Sequence, residues 1–262
     1  MTGYLEKTLR AARDDGRKLL IPYITGGLTD DWTDILRAIA DAGADAIEIG
    51  IPFSDPAMDG PTVQEASTVA LERGATPLSI LDDLRGVDAG VPLVAMTYYN
   101  LVVRNGEARF AGQLSAAGVC GAIVPDIPLE ESESWESAAA ANGVETVMLV
   151  APVTPDDRLA EIVERSHGFV YSVSRMGTTG ERDTLAAAGP ATARRVKAIT
   201  DKPVLIGFGI STPEQAVEAC AAADGVVVAS ALLRLLLDTG GGPDAAAEFV
   251  SSFRAAIDAG SH

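Results

Sequence analysis

Short apolar runs alternate with Ala-rich amphipathic segments along almost the whole chain. The apolar runs predict eight strands, at 19–25, 45–51, 92–98, 121–125, 145–150, 168–173, 203–207 and 225–229. The amphipathic segments predict helices at 31–42, 62–73, 107–117, 130–142, 155–166, 190–200, 212–222 and 243–258. Several of these segments end in glycine just before the next strand, as the C-cap of a helix does. Strands that are apolar almost throughout are expected where helices cover the sheet.

Eight strand–helix units without a linker between them predict one (β/α)8 barrel, a TIM barrel, that spans residues 1–262. The charged, helix-like segment 1–17 predicts an extra N-terminal helix. A doubly wound sheet is the second choice, because no GxGxxG turn follows the first strand. No apolar run reaches membrane-spanning length, and no signal-peptide core is present. We therefore expect a cytoplasmic protein that does not bind membranes.

The charge balance narrows the range of partners. The chain has 37 acidic and 20 basic residues, a formal net charge of −17. This charge argues against nucleic acid and anionic membranes as partners. An anionic substrate would have to be held by local dipoles and backbone N–H groups. The two cysteines lack the spacing of a metal or redox site, so a reduced compartment and no metal are expected.

The segment 48–61, EIGIPFSDPAMDGP, carries the clearest candidate chemistry. Glu48 lies within an apolar run, where an unpaired carboxylate is costly to bury, and Asp59 follows in the next loop. In a barrel both would project into the mouth at the carboxyl ends of the strands. A desolvated Glu facing a loop Asp separates two carboxyl pKa values and suits proton transfer. A strand-end or capping Glu beside solvated Asp residues explains this segment equally well.

Three further segments add to the predicted mouth. Residues 174–190, SRMGTTGERDTLAAAGP, form a long Gly-rich loop, which predicts a mobile lid or, alternatively, a disordered surface excursion. Strand 7 ends in GFGIS at 207–211, and strand 8 ends in Ala229 and Ser230; each runs into a helix start. Together these ends predict a phosphate site built from backbone amides, although each alone is an ordinary βα turn.

Two other side chains have open roles at this point. Tyr171 in strand 6 either belongs to the core or reaches a hydroxyl into the mouth beside Glu48. Asp126, after strand 4, is interpreted as a turn or capping residue rather than a site residue.

Four motifs carry a resemblance over essentially the whole chain: the segment 48–61, MTYYN at 96–100, SRMGTTG at 174–180 and GFGIS at 207–211. In this order and spacing they resemble the tryptophan synthase alpha subunit family. The resemblance implies a (β/α)8 barrel that cleaves indole-3-glycerol phosphate into indole and glyceraldehyde 3-phosphate, a retro-aldol reaction without a cofactor. It also implies an αββα complex, whose β subunits bind pyridoxal phosphate and condense the indole with serine.

The resemblance implies a role for each matched position. Glu48 would be the acid–base carboxylate. Asp59 would stabilise positive charge on the indole N–H, as an ionised, partly solvated side chain that is placed when its loop orders. Thr179 would hydrogen-bond Asp59 on closure of the lid, and Tyr171 would lie near Glu48. The phosphate cradle would comprise Gly180, Gly209, Ala229 and Ser230, and the indole ring would contact Tyr23, Ile123, Phe208 and Val227.

Three residues depart from the family pattern: Ala229 where glycine is expected, Met176 in the lid and Met58 beside Asp59. They keep open a stand-alone indole-3-glycerol-phosphate lyase that releases free indole without a β subunit. A weakly catalytic partner that activates a β subunit is disfavoured by the intact carboxylates. Another phosphosugar isomerase is disfavoured because no His or Lys is placed for enolisation.

Overall fold

The computed structural model describes residues 2–173, 188–207 and 209–260. Within these residues eight parallel strands pair each with the next, and the first pairs with the last, which closes a barrel. This confirms the predicted (β/α)8 barrel. The strands are β1 (Leu19–Thr25), β2 (Ile47–Gly50), β3 (Leu93–Met96), β4 (Val119–Ile123), β5 (Glu145–Val150), β6 (Val170–Val173), β7 (Val204–Gly207) and β8 (Gly225–Val228).

Helices surround the barrel, and in the described part of the chain each is too short or too polar to cross a membrane. The helices are Tyr4–Asp14, Trp32–Asp41, Pro61–Glu72, Pro77–Leu84, Tyr99–Asn105, Glu107–Ala116, Glu133–Ala141, Asp156–Arg165, Ala188–Lys197, Pro213–Cys220, Ser230–Thr239 and Pro243–Ala259, with a 3-10 turn at Leu129–Glu131.

Three of these helices differ from the sequence prediction. Pro77–Leu84 and Tyr99–Asn105 were not predicted, and Ala188–Lys197 begins inside the segment expected to be the lid. The last three residues of that segment are therefore helical. Residues 174–187 lie outside the described residues, so the lid itself stays a prediction.

The register of the strands shows which side chains point into the barrel. Tyr23 pairs with Glu48, Glu48 with Val94, Val94 with Gly121, and Gly121 with Glu145. Paired residues on neighbouring parallel strands point to the same face of a sheet. These residues therefore share the inner face, and Glu48 lies on it near the carboxyl ends of the strands.

The N-terminal helix closes the opposite end of the barrel. The Glu145 carboxylate accepts hydrogen bonds from the backbone N–H groups of Leu5, at 2.6 Å, and Glu6, at 3.2 Å. A Cβ added at Gly121 or Gly168 would lie 2.7 or 2.5 Å from Leu5 Cδ2, so both positions need glycine to admit the leucine. The predicted N-terminal helix is confirmed at Tyr4–Asp14, and it acts as a plug.

Candidate active site

A cavity of about 480 Å³ opens at the carboxyl ends of the strands and brings most of the predicted site residues together. This volume is in the range of small-molecule sites. The predicted residues that line it are Tyr23, Glu48, Asp59, Ile123, Tyr171, Gly209, Val227, Ala229 and Ser230. Thr179, Gly180 and Phe208 lie outside the described residues, so their predicted roles stay untested.

Glu48 is a buried acid on β2. Glu48 is 5% exposed, and its Oε2 atom has no hydrogen-bond partner among the described residues. Burial, and secondly the charge of Asp59, raise the pKa of Glu48 to about 8. A carboxyl group with this pKa holds its proton at neutral pH and can donate it to a substrate.

Asp59 follows β2 in the loop before the helix Pro61–Glu72. It is 7% exposed, so the expectation of a partly solvated side chain was wrong. Burial raises the pKa of Asp59 to about 6, while a hydrogen bond to Tyr98 acts in the opposite direction. At neutral pH most of Asp59 is therefore ionised beside a protonated Glu48, and the pair offers both an acid and a carboxylate.

Tyr98 holds the loop that carries Asp59, and this role was not recognised in the sequence. Its hydroxyl accepts a hydrogen bond from the Met58 backbone N–H at 3.0 Å and lies close enough to the Asp59 carboxylate to lower the pKa of that group. Its ring stacks on Phe53, with centroids 5.1 Å apart. Both ends of the loop are thus fixed by one side chain. The only sequence signal was a pair of tyrosines at the end of a predicted strand, which does not say what either ring touches.

The rings of Tyr23 and Tyr171 pack directly against Gly50 and Gly207, the glycines that end β2 and β7. A Cβ at Gly50 would come within 1.8 Å of the Tyr23 hydroxyl oxygen, and one at Gly207 within 2.3 Å of that of Tyr171. Both tyrosines are buried and both line the cavity. Tyr171 therefore belongs to the mouth, which resolves the choice left open by the sequence. Glycine ends β2 and β7 because any side chain there would displace a ring.

The two predicted phosphate segments differ in how their helices begin. The helix Pro213–Cys220 is capped by its own residues: Thr212 Oγ1 accepts from the Gln215 N–H, and Gln215 Oε1 accepts from the N–H groups of Ser211, at 2.7 Å, and Thr212, at 3.2 Å. The helix Ser230–Thr239 has no side-chain cap, so its first N–H groups can meet an anion. The geometry favours the end of β8 for the phosphate.

Ala229 at this helix start has φ −113°, a conformation open to any residue. The alanine in place of glycine therefore adds no backbone strain.

Asp126 lies outside the cavity lining. Its Oδ1 accepts a hydrogen bond from the Tyr99 backbone N–H at 2.8 Å. This contact caps the helix Tyr99–Asn105, and the interpretation of Asp126 as a capping residue is confirmed. Among the described residues no group of three or more His, Cys, Asp or Glu could hold a metal ion.

Comparison with known proteins identifies the family. The family model "Tryptophan synthase alpha chain" matches residues 9–258. The chain belongs to the tryptophan synthase alpha chain family. Membership makes it a lyase-type enzyme of tryptophan biosynthesis. The alpha chain of Streptomyces avermitilis is 42% identical over 238 residues, which cover 89% of this chain and 86% of the relative. That of Thermobifida fusca is 40% identical over 262 residues, covering 98% and 97%.

Solved structures agree with this family. Mycobacterium tuberculosis tryptophan synthase matches with a TM-score of 0.89 and 36% identity, covering 98% of this chain and 99% of that one. The tryptophan synthase subunit alpha of Legionella pneumophila matches with a TM-score of 0.86 and 30% identity, covering 99% and 100%. These relatives bear the name of the alpha chain or of tryptophan synthase, which favours this reading over a stand-alone lyase.

Proposed function

We propose that this member of the family cleaves indole-3-glycerol phosphate into indole and glyceraldehyde 3-phosphate without a cofactor. One observation carries the proposal: two buried carboxyl groups at the cavity mouth have pKa values near 8, for Glu48, and near 6, for Asp59. Because these two pKa values differ, the pair supplies a protonated acid and an ionised carboxylate at the same pH.

The reaction divides between the two groups. Protonated Glu48 donates its proton to C3 of the indole, and the positive charge that develops on the ring nitrogen is stabilised by ionised Asp59. The Glu48 carboxylate then takes the proton of the glycerol hydroxyl next to the bond that breaks. The electrons of that C–C bond return to the indole ring, the hydroxyl carbon becomes the aldehyde, and Glu48 ends protonated. Acid–base catalysis of this kind contributes about 10²–10⁴-fold.

The substrate would span the cavity. The indole ring would lie near Tyr23, Ile123 and Val227, which line the barrel side of the cavity. The phosphate would meet the uncapped start of the helix Ser230–Thr239. We propose that the segment 174–187 closes over this complex, and that Thr179 and Gly180 in it and Phe208 complete the contacts implied by the family.

The partner would be a tryptophan synthase β subunit in an αββα complex, which binds the pyridoxal phosphate. Asp55 and Met58 are exposed on the loop after β2, the loop that also carries Asp59. A partner docked there would contact the catalytic loop directly. The enzyme would then pass indole to the β subunit in the cytoplasm.

Indole release from indole-3-glycerol phosphate tests the proposal, measured with the purified chain alone and with a β subunit. We expect slow release alone and a large increase with the partner. Fast release that ignores the partner would identify a stand-alone lyase. We expect the substitution Glu48→Gln to abolish indole release and to leave the circular dichroism spectrum unchanged. If the wild-type chain releases no indole, either alone or with the β subunit, the proposed reaction is wrong.

A further inference from the structure

The active-site cavity extends beyond the barrel to the outer face of β5. Side chains alternate between the two faces of a strand. Val147 and Leu149 are on the inner face, Thr146 and Met148 are on the outer face, and all four line the same cavity. Ala151, just after the strand ends, lines the cavity as well. The mouth of the barrel therefore connects to a second space under the helices.

We call this space the side chamber and define it by Thr146 and Met148 of β5, Trp135 of the helix Glu133–Ala141 and Ile162 of the helix Asp156–Arg165. Met148 is only half-buried, although helices normally cover the outer face of a barrel strand. The two helices leave a gap above β5, and the walls of the gap are mainly apolar.

The charged groups around the side chamber are already paired. Arg165 contacts Glu136 at 2.5 Å and donates to Ser132 Oγ at 2.8 Å. Arg158 pairs with Glu130. These groups neutralise one another, so among the described residues the side chamber has no unpaired ionic group with which to hold a charged ligand.

One polar atom of the side chamber lacks a hydrogen-bond partner among the described residues. Thr146 is 5% exposed, and its Oγ1 makes no hydrogen bond to any described residue. A buried polar group without a partner costs about 1–3 kcal/mol, and a ligand that supplies the missing bond recovers it. The side chamber thus combines aromatic and aliphatic walls with a single hydroxyl. The oxygen of that hydroxyl is itself buried, so the Thr146 side chain must turn about its Cα–Cβ bond before a ligand can donate to it.

We propose that the side chamber binds a small neutral aromatic molecule with one N–H donor, and that indole is this molecule. The identity of the ligand rests on the proposed function, which produces indole in the connected mouth. Its N–H would donate to Thr146 Oγ1 once that side chain has turned toward the side chamber, and its ring would pack on Trp135 and Met148. The mouth and the side chamber together measure about 480 Å³, more than twice the roughly 150 Å³ that holds a benzene ring, so the connected space has room for two aromatic molecules.

The consequence is a second place for the product, distinct from the place where it is made. Indole in the side chamber would leave the barrel mouth free for phosphate-bearing substrate. It would also remain within the protein instead of escaping to solvent.

The test locates 5-bromoindole in crystals of the chain through the anomalous signal of bromine. We expect two sites, one in the mouth near Asp59 and one between Thr146 and Trp135. Titration calorimetry with 5-bromoindole should likewise count two sites per chain. Bromine confined to the mouth, or a single site in solution, would overturn the proposal.

Two matched variants test the hydrogen bond. Thr146→Val keeps the side-chain shape and should weaken the side-chamber site about fivefold to tenfold. Thr97→Val removes another buried hydroxyl that has no partner among the described residues, but Thr97 does not line the cavity. It should leave both sites unchanged, and equal affinities in the two variants would count against the proposal.

Cleavage of indole-3-glycerol phosphate is assayed separately on the same preparations. If cleavage fails while bromine occupies the side chamber, the proposed reaction falls and the binding site stands.

Discussion

At the scale of single residues, the position of Asp59 depends on a tyrosine from the next strand of the barrel. Tyr98 follows β3, and its hydroxyl contacts both the Met58 N–H and the Asp59 carboxylate. The loop that carries Asp59 is therefore already shaped in the isolated chain. A closing lid would complete the site but would not have to build it.

Replacing this hydroxyl gives a direct test. Tyr98→Phe should lower kcat about fivefold to thirtyfold, because one or two hydrogen bonds to the loop are lost, with a smaller effect on KM. The hydrogen bond lowers the pKa of Asp59, so its loss should also move the acid limb of the pH–rate profile to higher pH. Steady-state kinetics across pH measure both effects.

A neighbouring tyrosine provides the control. The Tyr99 hydroxyl donates to Glu107 Oε1 at 2.8 Å and does not touch the loop. Tyr99→Phe should leave kcat and the acid limb unchanged. If both variants behave alike, Tyr98 has only a general packing role.

The two carboxyl groups also fix the pH dependence. In the proposed reaction the free enzyme must carry ionised Asp59 and protonated Glu48. We expect kcat/KM to rise as pH increases through about 6 and to fall as pH increases through about 8. In Asp59→Asn the neighbouring negative charge is gone, so the pKa of Glu48 should fall, as NMR titration of its carboxyl carbon can show. A profile that keeps rising beyond pH 9 would contradict the assigned acid.

Single residues also show how much of the candidate site could be predicted from the sequence. Glu48 and Asp59 were predicted because acidic residues at the end of an apolar run are conspicuous. Tyr98 could not be assigned in this way, because its partners lie about 40 residues earlier in another loop. The burial of Asp59 likewise depends on neighbours that only the folded barrel supplies.

At the scale of secondary-structure elements, the strands were predictable and some helices were not. Strands buried on both faces are apolar along their whole length, and this pattern needs no partner to be read. The helix Tyr99–Asn105 is one of two short helices that were not predicted, and its first turn is capped by Asp126 from the loop after β4. A cap from a distant loop leaves no local signal.

Gly50, the glycine that ends β2, should affect activity through its contact with a side chain of the neighbouring strand β1. Gly50→Ala would place a Cβ within 1.8 Å of the Tyr23 hydroxyl oxygen and 2.5 Å of Cζ. The ring must move into the cavity, so we expect kcat/KM to fall at least about tenfold, a penalty of the 1–3 kcal/mol seen on overpacking. Kinetics and thermal unfolding of the variant measure this.

The double variant checks the cause. Tyr23→Phe removes the atom of closest contact, so Gly50→Ala combined with it should recover part of the lost activity. Gly112→Ala in the helix Glu107–Ala116 is the control and should not reduce activity. Additive effects of the two changes would rule out the contact as the cause.

At the scale of the whole molecule, the net charge of −17 opposes the approach of a phosphorylated substrate. In the proposed complex the phosphate is met by backbone N–H groups at the start of the helix Ser230–Thr239, whose field is local. Raising NaCl from about 10 to about 150 mM shortens the Debye length from about 30 to about 8 Å. We therefore expect kcat/KM to rise about twofold to threefold in initial-rate assays. A decrease with salt would point to a cationic site instead.

The pairing of the first strand with the last has a consequence for the newly made chain. Leu19–Pro22 of β1 pairs with Gly225–Val228 of β8, so the barrel cannot close until nearly the whole chain has left the ribosome. At about 5–20 residues per second this interval lasts about 10–40 s. During that time β1 presents an apolar edge without its final neighbour, and such edges are prone to aggregate. Expression of this barrel should therefore be sensitive to growth temperature and chaperone supply.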